Sequence, residues 1–435
     1  MPLLIYEIAL SRVEIIERLC NVHIRKWLGL PRMTNNTALY RGKGALQLPL
    51  TSIVEIYKAG KVRTVMMLRD SKDPEIRNNP PEVITAKKWK AEKETDAIIE
   101  DLRHRDIVGA VQNDRKGIGS DPFKPFSTMN ERERRTAVSS RVKSLEAERR
   151  DVHLIQCSHQ GQVVRWEENV VERKLSWSEI WNWSTSRLSF LVRSTYDVLP
   201  SPTNLVRWKI SNDNRCRCGK RGTLKHILSN CEKALERYTW RHNEVLKIIH
   251  RVTEKQIEKI NAGKRPRVAV KRQRISFVRP SQQSQYKQTR LTRDDERWAG
   301  SWEVAADLTG CERFFPIPTP KKPDIVVWSA ERKIVYLVEL TVPHEDNIEA
   351  AHIRKDDRYD KLLKECEEAG WEASHFSVEV GCRGFIGERL RKWFKTIGLS
   401  NPEISITTKE IQHTVEKASH WIWLKREDDS WLEKK

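Results

Sequence analysis

The run Asp324-Ile325-Val326-Val327-Trp328 is separated by only five residues from Ile334-Val335-Tyr336-Leu337-Val338-Glu339-Leu340-Thr341. Both runs are rich in β-branched and aromatic residues, which favour strands, and the polar segment between them favours a turn. Together they predict a hairpin, with Asp324 near its base and Glu339 toward the end of the returning strand. Two carboxylates that converge in this way can bind one hard cation such as Mg²⁺.

The segment after the hairpin predicts a helix over residues 348–368 that carries Lys355 and, one turn later, Tyr359. Phosphodiester hydrolysis requires an activated water and a cation that neutralises phosphate charge, which a metal-binding acid pair beside a lysine can provide. The alternative is a surface hairpin with solvated acids. Glu339, however, is the single charge in the run 336–342, where an unpaired carboxylate would be costly.

The hairpin and this helix belong to a predicted α/β core over residues 232–435. Its strands are expected at 324–328, 334–341 and 373–380. Its helices are expected at 232–250, 348–368, 385–396 and about 408–426.

A cluster of cysteine and histidine residues lies upstream of this core. It has the spacing Cys-x-Cys-x7-His-x4-Cys and consists of Cys216, Cys218, His226 and Cys231. Three thiolates and one imidazole match a closed, tetrahedral, structural Zn²⁺ site. Gly219 permits the tight turn that the first pair needs, and a short helix can carry the second pair. The alternatives are four unrelated residues and a zinc site with no role in nucleic-acid binding.

Basic residues are interleaved with the zinc-binding pattern. They are Arg215, Arg217, Lys220, Arg221 and Lys225. No acidic residue lies between Asp213 and Glu232, so the segment favours contact with phosphate.

The 435 residues include 80 Lys and Arg against 60 Asp and Glu, a net charge of +20. No window approaches the roughly 20 apolar residues of a membrane span, which excludes a membrane protein. Sixteen Trp, nine Phe and eight Tyr are enough for a real core and exclude wholesale disorder. The charge favours a polyanionic partner, with nucleic acid, either DNA or RNA, as the first candidate. The eight cysteines are too few for a disulfide scaffold and favour an intracellular setting.

The positive charge is concentrated in residues 251–293, which hold 13 Lys and Arg against two Glu, whereas residues 294–435 hold 22 basic and 28 acidic residues. The segment is expected to be a basic insertion in the core. A solvated linker is one interpretation, and a nuclear-import or phosphate-binding cluster is the other. The residues of that cluster are Lys264, Arg265, Arg267, Lys271, Arg272 and Arg274.

The N-terminal half is expected to be mostly helical. Residues 1–70 show helical periodicity, and residues 71–205 read as a polar helical linker that is partly disordered. Trp177 and Trp181, one helical turn apart, predict a packing stripe. The predicted zinc module follows at 206–231.

These motifs resemble the C-terminal portion of the polyprotein of site-specific non-LTR retrotransposons that carry a restriction-enzyme-like endonuclease. In that family a zinc knuckle precedes a PD-(D/E)XK-type nuclease with an Arg-His-Asn motif, a Pro-Asp motif, a second acid, and then Lys and Tyr. The matching residues occur here in the same order: Arg241-His242-Asn243, Pro323-Asp324, Glu339, Lys355 and Tyr359. Residues 25–31 and 45–50 resemble the thumb that follows the polymerase palm in this family.

The resemblance implies a mixed α/β chain with a helical N-terminal half, a CCHC zinc knuckle and a PD-(D/E)XK-type nuclease core. It implies that Asp324 and Glu339 bind Mg²⁺, that Lys355 orients the attacking water, and that Tyr359 supports the lysine or the phosphate. Arg241, His242 and Asn243 would contact DNA or brace the site. The implied reaction is the nicking of target DNA in the nucleus. The competing hypotheses are a non-catalytic nucleic-acid-binding remnant and a pseudogene product without function.

Two features depart from the family pattern. Many nucleases of the wider superfamily carry a lysine two residues after the second acid, whereas Thr341 occupies that position here and the role shifts to Lys355. The adjacent aspartates of a polymerase active site are also missing, because neither Asp294-Asp295 nor Asp356-Asp357 lies in an apolar hairpin. The chain is therefore expected to be a truncated element without polymerase activity.

Overall fold

The structure, a computed structural model, describes residues 2–109, 111–114, 117–120, 124–269, 292–311, 317, 319 and 321–428. Within these ranges the chain is mixed helix and sheet, and helices predominate in its N-terminal half. The chain divides into two compact units. Unit 1 comprises Met1–Glu168 and Glu172–Leu199, and unit 2 comprises Asn169–Val171 and Pro200–Lys435. No helix in the described ranges combines the length and the apolar character that a membrane crossing requires.

Unit 1 is largely helical. Its helices are α1 (Pro2–Ile5), α2 (Leu10–Trp27), α3 (Thr37–Tyr40), α4 (Ile53–Arg69), α5 (Pro74–Asn78), α6 (Ala91–Val108), α7 (Glu131–Ile155), α8 (Val163–Trp166), α9 (Trp177–Asn182) and α10 (Thr185–Thr195). Its strands are short and form two pairs. They are β1 (Leu46–Gln47), which pairs in parallel with β4 (Arg173–Lys174), and β2 (Val111–Asp114), which pairs antiparallel with β3 (Gly117–Ser120).

The main apolar cluster of unit 1 joins α2, α4, α6 and α7, with Val13, Val62, Ile98 and Val142 among its buried residues. Helices α6 and α7 lie in the interval 71–205, which the sequence pattern predicts to be a polar helical linker that is partly disordered and not part of a core. Their buried apolar positions form narrow stripes among many charged residues, so average composition hides them. A capping box at Asn130 fixes the start of α7.

Three tryptophans of unit 1 are exposed, in contrast to the predicted packing stripe. Trp177 and Trp181 on α9 are 46% and 70% exposed, and Trp27 at the end of α2 is 39% exposed. The rings of Trp27 and Trp181 pack together, with their centroids 5.5 Å apart. This pair presents apolar aromatic surface to solvent, so its role is not core packing.

Unit 2 contains the main sheet. Its helices are α11 (Pro202–Arg207), α12 (Leu235–Asn261), α13 (Ile348–Glu368), α14 (Glu388–Thr396) and α15 (Asn401–Leu424). Its strands are β5 (Arg267–Ala269), β6 (Thr292–Asp294), β7 (Glu303–Ala306), β8 (Ile325–Ser329), β9 (Ile334–Thr341) and β10 (Glu372–Glu379).

The sheet has the strand order β10-β9-β8-β7. Strands β8 and β9 form the antiparallel hairpin that the sequence predicts, and β7 pairs antiparallel with β8. Strand β10 pairs in parallel with β9, because α13 carries the chain back along the sheet before β10 begins. The crossover therefore places α13 directly over the hairpin.

Both faces of this sheet are covered. Alternate residues such as Val327 and Tyr336 pack in a cluster with α12, α14 and α15, where the Tyr336 ring stacks against Trp298 and Trp302. The intervening residues, such as Val326 and Leu337, pack with α13. Helices on both sides explain why the two strands are nearly continuous apolar runs.

Two helices are longer than the sequence pattern predicts. Helix α15 begins at Asn401, where Ser400 caps it, rather than near residue 408. Helix α12 continues to Asn261, so the first part of the predicted insertion 251–293 is helical. Ile257 and Ile260 extend its buried face, and Gly263, with φ of +85°, lies just beyond its end.

Candidate functional site

Cys216, Cys218, His226 and Cys231, here called the Cys3His cluster, converge in unit 2. Their ligand atoms all lie within 4.8 Å of one another. The Sγ atoms of Cys216 and Cys231 are 3.8 Å apart, and Cys218 Sγ is 3.0 Å from His226 Nε2. This set of soft sulfur and nitrogen ligands fits a tetrahedral Zn²⁺ ion, so the cluster could hold one.

Local backbone geometry brings the four ligands together. The Cys216 N–H donates to Lys220 O, and the Gly219 N–H donates to Cys216 O, which closes the turn that contains the first two cysteines. Gly219 has φ of +86°, a value that favours glycine. One turn of helix, His226–Asn230, then carries the chain to Cys231. The predicted turn and short helix are thus both present.

The cluster is partly shielded from solvent. Cys231 and His226 are buried, and Cys216 and Cys218 are half-buried. Burial lowers the pKa of His226, which favours the neutral imidazole that binds metal. The half-buried pair, Cys216 and Cys218, faces outward, and the buried pair, His226 and Cys231, faces inward. This gradient is typical of a small module that packs on a larger core.

Some of the basic residues around the cluster have local partners. Arg215 forms an ion pair with Asp213 at 3.0 Å, and Lys220 forms one with Glu232. The Arg217 guanidinium donates to Glu427 O. Both ion pairs are exposed, and such pairs are weak, so they can exchange partners at little cost. Arg221 is exposed.

The hairpin places Asp324 and Glu339 side by side. Ile325 pairs with Val338, so the two acids face each other one step farther along the antiparallel strands. Both share the strand face of Val326 and Leu337, which is the face covered by α13. The Asp324 N–H donates to Glu339 Oε2 at 3.3 Å, and Leu340 N–H donates to Asp324 Oδ2 at 2.6 Å.

Helix α13 brings Lys355 and Tyr359 to the same carboxylates. Lys355 Nζ donates to Glu339 Oε1, and Tyr359 Oη donates to Glu339 Oε2 at 2.8 Å. Burial and the neighbouring Glu339 raise the pKa of Tyr359, so its hydroxyl remains a donor. The four residues predicted to be catalytic therefore meet in one group, called the carboxylate cluster below.

His242 on α12 reaches this cluster from another direction. Its Nε2 lies 3.4 Å from Asp324 Oδ2 and 3.3 Å from Leu340 O, and its Nδ1 lies 3.1 Å from Asn243 Oδ1. Burial opposes a charged imidazole, but the interaction with Asp324 outweighs it and raises the pKa of His242. The imidazole thus braces Asp324.

Arg241 is buried, which speaks against its assignment as a nucleic-acid-binding residue. Its side chain is only 1% exposed, and protein groups supply its acceptors. Its guanidinium donates to Leu228 O, Ser419 Oγ and Val342 O at 2.9, 2.9 and 3.3 Å. Leu228 lies between two members of the Cys3His cluster, and Val342 follows β9. Arg241 therefore ties the two sites together, in agreement with the alternative that it braces the site.

An open cleft of about 470 Å³ borders the carboxylate cluster. Asp324, Glu339, Lys355 and His242 line it, together with Ser229 and Asn230 of the helical turn His226–Asn230. Lys225 Nζ also donates to Asn347 Oδ1 on the rim at 2.8 Å. The Cys3His module thus forms part of the wall of the cleft.

The basic segment after α12 is only partly described. Lys264, Arg265 and Arg267 are exposed, as a phosphate-binding cluster requires. Lys271, Arg272 and Arg274 lie outside the described residues. Asn243 lines a different pocket, next to Glu244 and Lys247.

One buried group near the carboxylate cluster escaped the sequence analysis. Glu379 ends β10 and accepts from His352, whose Nδ1 is 3.0 Å from Glu379 Oε1. Asp356 bridges His352 and His375 at 2.8 and 3.2 Å, and the His375 ring stacks on Tyr359. The signal was a single acid between two apolar residues of a strand end, Val378 and Val380, as Glu339 lies between Val338 and Leu340. These contacts hold α13, and hence Lys355, against the sheet.

A fully buried ion pair fixes the rim of the cleft. Arg383 Nε donates to Glu345 Oε2 at 2.6 Å, and the Arg383 N–H donates to Glu345 Oε1 at 2.8 Å. A Cβ atom at Gly381 would lie 2.5 Å from Glu345 Oε1, so only glycine fits there without displacing the carboxylate. The pair joins the segment after β9 to the segment after β10.

Comparison of the chain with protein-family models and with curated proteins finds no match.

Proposed function

We propose that unit 2 is a Mg²⁺-dependent endonuclease that nicks DNA. The observation that carries the proposal is the convergence of Asp324, Glu339, Lys355 and Tyr359 beside an open cleft. These four residues come from β9, from α13 and from the position just before β8, and they are 35 positions apart at most. Further support comes from the order of the motifs, which resembles that of the retrotransposon nucleases.

The donor set at this site fits Mg²⁺. Asp324 and Glu339 offer carboxylate oxygens, the hard ligands that Mg²⁺ prefers, and Mg²⁺ is typically bound by one or two carboxylates together with substrate phosphate. When bound, Mg²⁺ would activate water and offset the charge of the scissile phosphate. The cleft on the same side leaves space for that phosphate.

The remaining residues of the site act through position and charge. The Lys355 ammonium, held at Glu339, would orient the attacking water and attract the phosphate. Tyr359 holds the second oxygen of Glu339 and thereby fixes the orientation of the carboxylate. His242 performs the same task at Asp324.

The Cys3His cluster would bind Zn²⁺ and act as a structural module beside the cleft. Its exposed cations and those at 264–267 would hold the nucleic-acid backbone. This division of roles agrees with the charge distribution, since the basic residues flank a region that carries more acidic than basic residues.

A nicking assay on supercoiled DNA tests the proposal. Asp324→Ala and Glu339→Gln are each expected to reduce Mg²⁺-dependent nicking about 1000-fold, because loss of a metal ligand removes several kcal/mol of transition-state stabilisation. Lys355→Met is expected to have a comparable effect. The matched control is Glu349→Gln, an exposed acid on α13 that does not line the cleft. Nicking that persists in Asp324→Ala would refute the endonuclease.

A non-catalytic nucleic-acid-binding protein is the second candidate. It is favoured by one observation: both oxygens of Glu339 are engaged, by Lys355 and Tyr359, as in a structural ion pair. This alternative predicts salt-sensitive DNA binding without cleavage. It is eliminated if Glu339→Gln abolishes nicking while the affinity for DNA stays unchanged.

A further inference from the structure

Unit 1 contains a polar cleft of about 630 Å³ that lies outside the proposed nuclease. Helices α2 and α3, the loop between them, the start of α4 and the end of α7 line this cleft. Its cationic lining residues are Arg25, Arg32, Arg149, Arg150 and His153. Its acidic lining residues are Glu14, Glu17 and Glu146.

The acids of this cleft are already engaged by protein groups. Glu17 Oε2 accepts from Ser52 Oγ at 2.6 Å and from the Val54 N–H at 2.9 Å. Glu146 accepts from Lys58 at 2.7 Å and from Arg149 at 2.6 Å. Glu14 accepts from Lys88 at 2.6 Å. The charges of Glu14 and Glu146 are therefore matched by cations, whereas Glu17 is held by neutral donors and keeps its charge.

Two arginines of the cleft have no acidic partner among the described residues. Arg25 donates to neutral groups, Thr34 O at 2.7 Å and Asn36 Oδ1. Arg32 is exposed at the edge of the cleft. Burial lowers the pKa of Arg25, as expected for a guanidinium whose charge no carboxylate matches. An anion in the cleft would supply the missing partner.

Buried polar atoms in the cleft also lack partners. Thr34 is 1% exposed, and its Oγ1 has no hydrogen-bond partner within the described ranges. The Nε atoms of Arg25 and Arg150 are likewise buried and unsatisfied there. Leaving such donors unsatisfied costs about 1–3 kcal/mol each, and a phosphate oxygen is a strong acceptor for a guanidinium or a hydroxyl.

We infer that this cleft binds a phosphate of a single-stranded nucleic acid through Arg25, Arg32 and Thr34. The choice of nucleic acid over free phosphate rests on the exposed Trp27–Trp181 pair, which does not line the cleft but lies beside it, since Trp27 is only two residues beyond Arg25 on α2. Nucleobases stack on exposed aromatic rings, and arginines hold the backbone. Residues 1–200 also carry 34 Lys and Arg against 26 Asp and Glu.

The test uses the full chain and two probes, inorganic phosphate and a short oligothymidylate. Binding is measured by titration calorimetry at constant ionic strength. Arg25→Gln and Arg32→Gln are each expected to lower the affinity for both probes about tenfold, because each change removes one charged hydrogen bond to phosphate. Trp181→Ala is expected to lower the affinity for the oligonucleotide and to leave the affinity for inorganic phosphate unchanged. The matched control is Arg18→Gln, which removes an exposed cation of α2 outside the cleft.

The outcomes separate the possible ligands and separate this site from the nuclease. Arg32 is exposed, so its replacement should not affect folding. The inference would be overturned if Arg32→Gln bound phosphate as tightly as the parent. It would also be overturned if Arg18→Gln lost as much affinity as the variants in the cleft. A loss of phosphate binding with no effect of Trp181→Ala would mean that a free phosphate, not a nucleic acid, is the ligand. Asp324→Ala is expected to bind phosphate normally, so failure of the proposed nuclease would leave this result standing.

Discussion

The Cys3His cluster and the carboxylate cluster are built in opposite ways. The former takes its four ligands from 16 consecutive residues, and a turn and one turn of helix suffice to bring them together. The latter takes its residues from β9, from α13 and from the residue that precedes β8, and it exists only when the sheet has formed. The local cluster is partly shielded, and Cys216 and Cys231 line a pocket of about 250 Å³, whereas the carboxylate cluster opens onto a larger cleft of about 470 Å³.

The difference shows how the two kinds of site depend on their surroundings. A metal cluster of local ligands is stabilised mainly by the ion that it binds. A site assembled by topology is stabilised by the packing of the whole unit, and its side chains need supports such as His242 and Glu379. Arg241 connects the two, since it bonds to the loop of one and to the strand end of the other.

Loss of Cys231, a proposed zinc ligand, should have the largest effect on the stability of either cluster. Cys231→Ser is expected to abolish stoichiometric zinc and to unfold the module, because structural zinc contributes about 10 kcal/mol or more in small modules. Metal analysis and thermal melting measure the two effects. Cys20→Ser on α2 of unit 1 is the control and should keep its zinc. Full zinc content in Cys231→Ser would mean that the Cys3His cluster is not the metal centre.

Removal of the connection at Arg241 should have a smaller effect. Arg241→Met is expected to reduce the free energy of unfolding of unit 2 by about 3 kcal/mol, because buried acceptors lose a charged donor. The change should also reduce nicking while leaving zinc stoichiometry intact. Denaturant unfolding and metal analysis test this, with the exposed Arg251→Met as the matched variant on the same helix. Unchanged stability would show that the two sites are independent.

The smallest of the three effects should be the pH-dependent contribution of His242 to the stability of the folded protein. Its pKa is raised in the folded protein, so its contribution to stability is complete below the ordinary value of about 6.5 and is lost as the pH rises through the folded pKa. His242→Gln should therefore be less stable than the parent below that window, and the difference should shrink above it. Thermal melting across the pH range measures this. A difference that is independent of pH would contradict the ion pair with Asp324.

Much of unit 2 could be predicted from its sequence, and particular residues show why. The hairpin and α13 have strong, uninterrupted patterns, and the ligand spacing of the Cys3His cluster is short. The burial of Arg241 could not be predicted, because arginine is usually exposed and its three acceptors lie far apart in the chain. The packing of α6 and α7 was missed because their buried stripes are narrow. Function remains a proposal that the experiments above decide.

The distribution of tryptophan gives each unit its own optical signal. The exposed tryptophans among the described residues, Trp27, Trp177 and Trp181, all lie in unit 1, whereas Trp298 and Trp393 in unit 2 are buried. A water-soluble quencher should therefore act first on these three indoles of unit 1, and less on the buried Trp89 and Trp166 of the same unit. Emission from the buried indoles of unit 2 should shift to longer wavelength only on unfolding. A single fluorescence experiment could thus measure ligand binding near the exposed tryptophans of unit 1 and the unfolding of unit 2.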